Sequence, residues 1–219
     1  MRIGRWVAAG FLFILAGLPA LACAAEEQPD TELDTRVSAF LEAREKSWRD
    51  LNIPASDGQS LFDLVVKNGY TRAVEVGTST GHSAIWIAWG LSKTGGKLIT
   101  IEIDEDRHKE ALKNFEEAGV SQFIDARLAD AHELVPELDG PIDLVFLDAD
   151  KDWYVKYFRF LLPKLTDGSC IAAHNVTGRR SAWQKEYLDT VNATPGMRTE
   201  FVGPSGRRGF AVSFYTELD

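Results

Sequence analysis

The chain is poor in sulfur: of 219 residues, two are cysteine and two methionine. Cys23 and Cys170 offer no disulfide framework. Cys170 lies in an apolar strand pattern and reads as a buried small residue rather than a nucleophile. Basic residues are also in deficit, 24 Lys and Arg against 33 Asp and Glu. The resulting net charge of -9 opposes a nucleic-acid backbone as partner. No internal repeat or low-complexity tract is present. Two nucleotide signatures are missing from the one glycine-marked stretch, A-V-E-V-G-T-S-T-G-H-S-A from Ala73 to Ala84. Its glycines are spaced G-x-x-x-G, not G-x-G-x-x-G, and no lysine follows Gly81, so neither a dinucleotide fingerprint nor a phosphate loop is there.

That stretch organises the rest. Ala73-Val74-Glu75-Val76 suits a buried parallel strand, and a helical pattern follows Gly81. Strand, glycine turn and helix place a nucleotide-like ligand at a helix N-terminus. Glu75 beside the turn repels a pyrophosphate and suits a cationic amino-acid ligand. An ordinary strand-to-helix turn is the alternative.

The first 25 residues are a separate object. Arg2 and Arg5 precede an uncharged run from Trp6 to Ala25, with small-x-small cleavage sites around Cys23. This is the layout of a signal peptide. An uncleaved membrane anchor and a lipoprotein stay open. All three place residues 26–219, read as one domain, outside the cytosol, periplasmic, secreted or anchored.

The remainder alternates. An amphipathic helix over Thr31–Leu51 and a second over Asp57–Lys67 form a helical cap covering about residues 31–68. Five strand-helix units follow, with strands at Ala73–Val76, Lys97–Ile103, Phe123–Leu128, Ile142–Leu147 and Cys170–Ala173. Their helices are those after Gly81, Asp104 to Glu117, Ala131–Leu138, Trp153–Leu165 (with a bend at Pro163) and Arg180–Val191. Thr199–Val202 and Phe210–Tyr215 close the chain as an antiparallel hairpin. The pattern predicts an α/β fold, a doubly wound, mostly parallel seven-stranded sheet with an antiparallel C-terminal hairpin.

In such a sheet the ligand sits at the carboxyl ends of the strands. Those ends carry Glu75 and Gly77, then Glu102, then Ala129-Asp130-Ala131-His132, then Asp148, Asp150, Lys151 and Asp152, then His174 and Asn175. Glu102 can accept both hydroxyls of a ribose. Asp148 and Asn175, on adjacent strands, can converge their oxygens on a hard cation. A solvated helix start is the plainer reading of the acids after Leu147.

The segments E-V-G-T-S-T-G-H-S-A, I-T-I-E-I-D, L-A-D-A-H-E-L, V-F-L-D-A-D-K-D-W-Y and A-A-H-N-V resemble, in order and spacing, the class I S-adenosylmethionine-dependent O-methyltransferases. The likeness is greatest to the cation-dependent branch that includes catechol and caffeoyl-CoA O-methyltransferases, and it covers about Asn52 to Tyr215. It implies that Glu75, Gly77 and Ser83 hold the methionine part and line the loop, that Glu102 binds the ribose, that Ala131 lies near the adenine and that Asp150 contacts the cofactor. It implies Lys151 as the base and Asp148 and Asn175 as metal ligands. The family's fifth strand ends in Asp-Asn; here it ends in His174-Asn175. The family's later acceptor-site asparagine is also missing, since V-T-G-R-R follows.

His174 therefore carries three readings: a third ligand to a divalent ion (Mg²⁺, Mn²⁺, Fe²⁺ or Zn²⁺), a general base where no metal binds, or a ring turned away and merely hydrogen-bonded. The expected activity is O-methylation of a small, aromatic, catechol-like acceptor, with Trp153, Tyr154, Tyr157 and Trp183 as candidate pocket walls. Packing within helices is the alternative for each of these rings. The competing functions are a nicotinamide-dependent oxidoreductase and an exported domain that keeps the fold without the chemistry. Expected partners are the small acceptor, a membrane only through an uncleaved leader, and a second copy of the chain in a homodimer.

Overall fold

The computed structural model describes residues 31–48, 51–177, 181–202 and 210–218. The expected leader, Cys23, the start of the helix at Arg180 and the hairpin turn at Gly203–Gly206 lie outside them.

Seven strands form one sheet: β1 (Arg72–Val76), β2 (Lys97–Glu102), β3 (Ile124–Leu128), β4 (Ile142–Leu147), β5 (Leu165–His174), β6 (Met197–Val202) and β7 (Phe210–Tyr215). Their order is β3-β2-β1-β4-β5-β7-β6. The first five are parallel, and β7 pairs antiparallel with both β5 and β6. The order reverses between β1 and β4, which opens a crevice beyond their carboxyl ends. Among the described residues the α-helices are α1 (Glu32–Arg44), α2 (Ala55–Asn68), α3 (His82–Thr94), α4 (Glu105–Ala118), α5 (Ala131–Glu137), α6 (Tyr154–Leu161) and α7 (Ala182–Ala193).

The two-residue period of the strands sorts side chains onto two cores. Ala73, Leu98, Leu144, Phe146, Cys170 and Ala172 pack with α1 to α4. Val74, Val76, Ile101, Val145, Leu147, Ile171 and Ala173 pack with α5 to α7. Glu75 stands level with Thr100 on β2 and Phe146 on β4. The same alternation carries Glu102, Asp148 and His174 to the face covered by α2 and α3. Parity alone thus gathers the polar residues of the strand ends under the helical cap.

Three elements differ from the sequence pattern. The first helix stops at Arg44, well short of Leu51. Trp48 instead turns back to stack on His82, ring centroids 4.4 Å apart. Burying an indole against a ring outweighs another turn of exposed helix. The expected helix over Trp153–Leu165 is divided into a 3₁₀ turn at Lys151–Trp153, α6, and a second 3₁₀ turn at Leu162–Lys164 that contains Pro163. Proline has no N–H for the helical ladder. The fifth strand begins earlier than Cys170, at Leu165, and absorbs Asp167-Gly168 as a bulge: Ile142 pairs with Leu165 but Leu144 pairs with Cys170. Ser169 bridges the gap by donating to the Ile142 carbonyl at 2.9 Å.

Candidate active site

The crevice contains a cavity of about 530 Å³ lined by the loop after β1, Glu102, Arg107, the loop after β4, His174 and Asn175, and on the cap side by Leu51, Asn52 and Pro54. A smaller cavity of about 210 Å³ adjoins it through Gly77, Glu102, Ile103, Ala149 and Asp150. Gly77 sets their shared wall. Its φ is +102°, and a Cβ there would lie 2.6 Å from the Cβ of Ala149, so only glycine lets the β1 and β4 loops close on each other.

Glu75 is wholly buried at the base of this wall. The Thr100 hydroxyl donates to its Oε2 at 2.5 Å, and the Thr78 and Thr100 hydroxyls lie 2.5 Å apart. With Thr100 donating to Glu75, its oxygen accepts from Thr78. Glu75 Oε1 has no hydrogen-bond partner among the described residues. Burial pushes this carboxyl up to about 8, against the pull of the Ser83 and Thr100 hydroxyls and with help from the charges of Asp148 and Glu102. Thr100 was not singled out from sequence, although its place in I-T-I-E-I-D puts it on the Glu75 face.

Glu102 is held by backbone amides. Ser79 N–H donates to Oε2 at 2.7 Å, while Ile103 and Asp104 N–H donate to Oε1 at 3.1 and 2.9 Å. A carboxylate offers about four lone-pair positions. In this arrangement it has room for one more hydroxyl, not the two expected. A second requires Ser79, strained at φ +48°, to give up its bond.

Ala131 opens α5 and lines the smaller cavity with Ile101, Ala129, His132 and Tyr157. Asp150, at φ +50°, points to this side and bonds His132 Nε2. His132 in turn stacks on Trp153 with centroids 3.5 Å apart. The expected aromatic walls are thereby redistributed. Tyr157 faces the small cavity, and Trp153 is occupied by His132. Tyr154 is fully buried and packs edge-on against Trp183 and Tyr187. Leu51, Asn52 and Pro54 take the place expected of these rings.

At the other end of the crevice Asp148 Oδ1 meets three nitrogens: Lys151 Nζ at 2.7 Å, His174 Nδ1 at 3.1 Å and Asn175 Nδ2 at 3.3 Å. Lys151 also donates to the Asp148 carbonyl at 3.3 Å and to the Tyr154 hydroxyl oxygen at 3.1 Å. That hydroxyl spends its own proton on the Leu147 carbonyl at 2.7 Å, so it serves Lys151 only as an acceptor.

The second ring nitrogen of His174, Nε2, lies 3.1 Å from Asp57 Oδ2. Asp57 stands in the first turn of α2 and is 2% exposed. Burial alone would lower the imidazole pKa, but hydrogen bonds to Asp148 and Asp57 reverse this and raise it to about 9. Sequence reasoning missed Asp57, which resembles any acid near a helix start.

Three nitrogens crowd one Asp148 oxygen, and both imidazole nitrogens face carboxylates. A hard cation takes about six or more oxygens, several of them from water or substrate, and a softer one needs an imidazole lone pair. Among the described residues no group of three or more His, Cys, Asp or Glu is arranged to hold a metal. The expected ligand set of Asp148, His174 and Asn175 is brought together, but as a hydrogen-bonded cluster.

One further histidine shapes the site. His82 Nδ1–H donates to the Ile53 carbonyl at 3.0 Å, and its Nε2 accepts from Trp86 Nε1–H at 3.1 Å. Burial holds its pKa down at about 4, so it stays neutral and pins the 51–54 loop.

Residues 32–189 match the family described as O-methyltransferase. A catechol O-methyltransferase from Niastella koreensis is 33% identical over 66% of this chain and 67% of its own. Another catechol O-methyltransferase, from Mycobacterium tuberculosis, is 30% identical over 72% of this chain and 76% of its own. The solved O-methyltransferase TomG of Streptomyces achromogenes, in complex with SAM, is similar at 26% identity and a TM-score of 0.71, covering 86% of this chain and 91% of that one. With the sheet order, the glycine loop and the strand-end carboxylates, these likenesses show that the chain belongs to the O-methyltransferase family.

Proposed function

We propose that this enzyme transfers the methyl group of S-adenosylmethionine to a hydroxyl of a small aromatic, catechol-like acceptor. The observation that carries the reading is the unpartnered Oε1 of the fully buried Glu75, which stands at the glycine loop. An unsatisfied buried carboxylate oxygen is costly unless a ligand completes it. A ligand with an ammonium group suits it, and a pyrophosphate does not. Glu102, the loop from Gly77 to Ser83, and the cavity at Ala131 and Asp150 would take the ribose and base.

When bound, S-adenosylmethionine supplies a methyl group on a good leaving group. The chain's own task is to orient the acceptor and move one proton. Lys151 takes the proton of the acceptor hydroxyl as the oxygen forms its bond to carbon. The contacts of Nζ in the structure are those of the resulting ammonium: Asp148 stabilises the charge that proton uptake creates, and Tyr154 offers it an oxygen. Leu51, Asn52 and Pro54 line the cap side of the same cavity. A nicotinamide oxidoreductase is not favoured, since the glycine spacing and the relatives both oppose it. A domain without chemistry is not favoured either, because Glu75, Glu102, Asp148 and Lys151 are all gathered at the crevice.

The test is calorimetric titration of the full chain with S-adenosylmethionine. Saturable binding is expected, weakened about tenfold or more in Glu102→Ala, where charge-assisted bonds are lost. Absence of binding by the parent, or equal affinity in a folded Glu102→Ala, would overturn the assignment.

A further inference from the structure

Building on that reading, we infer that Thr80 is a positioning residue that ties the acceptor wall of the crevice to the cofactor loop, so that a cofactor seated on the loop sets the wall against which the acceptor docks. The wall is formed by Leu51, Asn52 and Pro54, on the cap side of the crevice cavity. Behind it lies a second cavity of about 730 Å³, and Asn52 and Pro54 line both. Ile53 between them is buried in the core, but its two neighbours have open space on either side. Close packing therefore does not fix where Asn52 stands, and hydrogen bonds have to.

Two bonds do so, and both come from the residues that flank Gly81. Asn52 Nδ2 donates to Thr80 Oγ1 at 2.8 Å, and His82 Nδ1–H donates to the Ile53 carbonyl at 3.0 Å. An amide and a hydroxyl each donate and accept, so the first bond holds for either orientation of the Asn52 amide. The second bond is steadied from behind, where Trp86 Nε1–H donates to His82 Nε2. Gly58 lets α2 rest against that indole: a Cβ there would lie 2.2 Å from Cδ1 of Trp86.

Thr80 is in turn braced from the far side. Asn114 Nδ2 donates to the Thr80 carbonyl at 2.8 Å, and Asn114 Oδ1 accepts from Arg44 Nη1 at 2.9 Å. A carbonyl needs a donor and a guanidinium needs an acceptor, so this amide has one orientation only. Both Asn114 and Thr80 are buried. The Thr80 carbonyl is thus held by α4 and α1, while its hydroxyl carries the wall. Ser79 makes the connection to the cofactor. Its N–H donates to Glu102, and a ribose that engages Glu102 with both hydroxyls takes that bond away. A shift of Ser79 reaches Thr80 through one peptide unit. By linkage, an acceptor that settles on the wall tightens the cofactor by the factor with which the cofactor tightens the acceptor.

The experiment follows hydrogen exchange of residues 51–55 by mass spectrometry in the full chain, with and without S-adenosylmethionine, beside steady-state methyl transfer to catechol. Thr80→Val removes the hydroxyl but keeps the shape and the carbonyl bond to Asn114, and Thr80→Ser keeps the hydroxyl. In the ligand-free chain Thr80→Val is expected to exchange this segment about fivefold faster than the parent, the worth of one neutral hydrogen bond, and Thr80→Ser at the parent's rate. S-adenosylmethionine is expected to slow the segment in the parent and in Thr80→Ser but not in Thr80→Val, which still binds it within about threefold of the parent. The KM for catechol should rise about fivefold in Thr80→Val, with kcat within about twofold. Should Thr80→Val fail to fold, Asn52→Ala severs the same bond from the exposed side and is held to the same exchange rates. Equal ligand-free exchange in the parent and the severed variant, or equal slowing of both by S-adenosylmethionine, would overturn the inference. So would a loss of kcat as large as the rise in KM. Failure of the parent to bind S-adenosylmethionine or to methylate catechol would instead strike the functional reading, while ligand-free exchange would still decide whether Thr80 holds the wall.

Discussion

The two ends of the crevice treat carboxylates in opposite ways. Beyond β1 and β2, Glu75 is met by a threonine hydroxyl and Glu102 by backbone amides. Beyond β4 and β5, Asp148 is met by the ammonium of Lys151 and the ring of His174, and Asp57 by the other side of that ring. Neutral donors leave the buried Glu75 to hold its proton until a cationic ligand replaces it; cationic donors answer a carboxylate's charge within the chain. On the proposed reading the first end receives a cationic guest and the second handles a proton.

The largest effect should come from breaking the second end. Lys151→Ala is expected to lower turnover by about two or more orders of magnitude with S-adenosylmethionine affinity nearly intact. Calorimetry beside single-turnover kinetics reads both, and equal losses in each would show that the two ends are not separable.

Asp57→Asn sharpens the contrast from the cap. A pKa of about 9 for His174 in the fold, against an ordinary 6.5, means that its contribution is fully present below pH 6.5 and is lost as pH rises through 9. That shift corresponds to roughly 3 kcal/mol. Glu75, raised to about 8, acts in the same direction between pH 4.5 and 8. Denaturant titrations of parent and Asp57→Asn across pH 6 to 10 isolate the histidine: the parent should lose stability more steeply, and parallel curves would mean that Asp57 does not hold the ring.

The first end has its own proton signature. Since burial keeps Glu75 largely protonated at neutral pH, a cationic ligand should expel that proton. Binding heats measured near pH 7 in two buffers of different ionisation enthalpy should reveal release of a substantial fraction of one proton, absent in Glu75→Gln. The smallest effect concerns the acceptor. Lys151 at an acceptor hydroxyl asks for one oxygen, whereas an ion with open positions would favour two adjacent ones. A monohydroxylated aromatic and its catechol counterpart should differ by less than about tenfold in kcat/KM, and a hundredfold gap would point to chelation.

The end beyond β1 and β2 was the more legible in sequence because everything it uses lies within one strand, one loop and one register step. Glu75, Gly77 and Glu102 follow from the strand-turn-helix pattern, and even Thr100 is recoverable from the pleat. The acceptor end was not, because its decisive contact joins α2 to β5. Asp57 sits in A-S-D-G-Q-S, where an acid is what any helix start would carry. His174 was visible as a departure, but its role depends on what faces Nε2, and no local rule supplies that. The aromatic rings could not be sorted between wall and packing for a related reason: periodicity tells which rings share a helix face, not whether that face turns to a cavity or to another helix.

Gly58 gives that long-range contact its vulnerability. The depth at which α2 rests is set by a residue with no side chain, seated against the indole of Trp86. An alanine there would touch no ligand, remove no charge and alter no hydrogen-bonding group, yet it would lift the rod that carries Asp57. Steric slack of a single methyl group would be transmitted as a loosened imidazole at the far end. Mutational scans that rank positions by nearness to the chemistry would file it under tolerance of folding, when it sets the reach of Asp57 to His174.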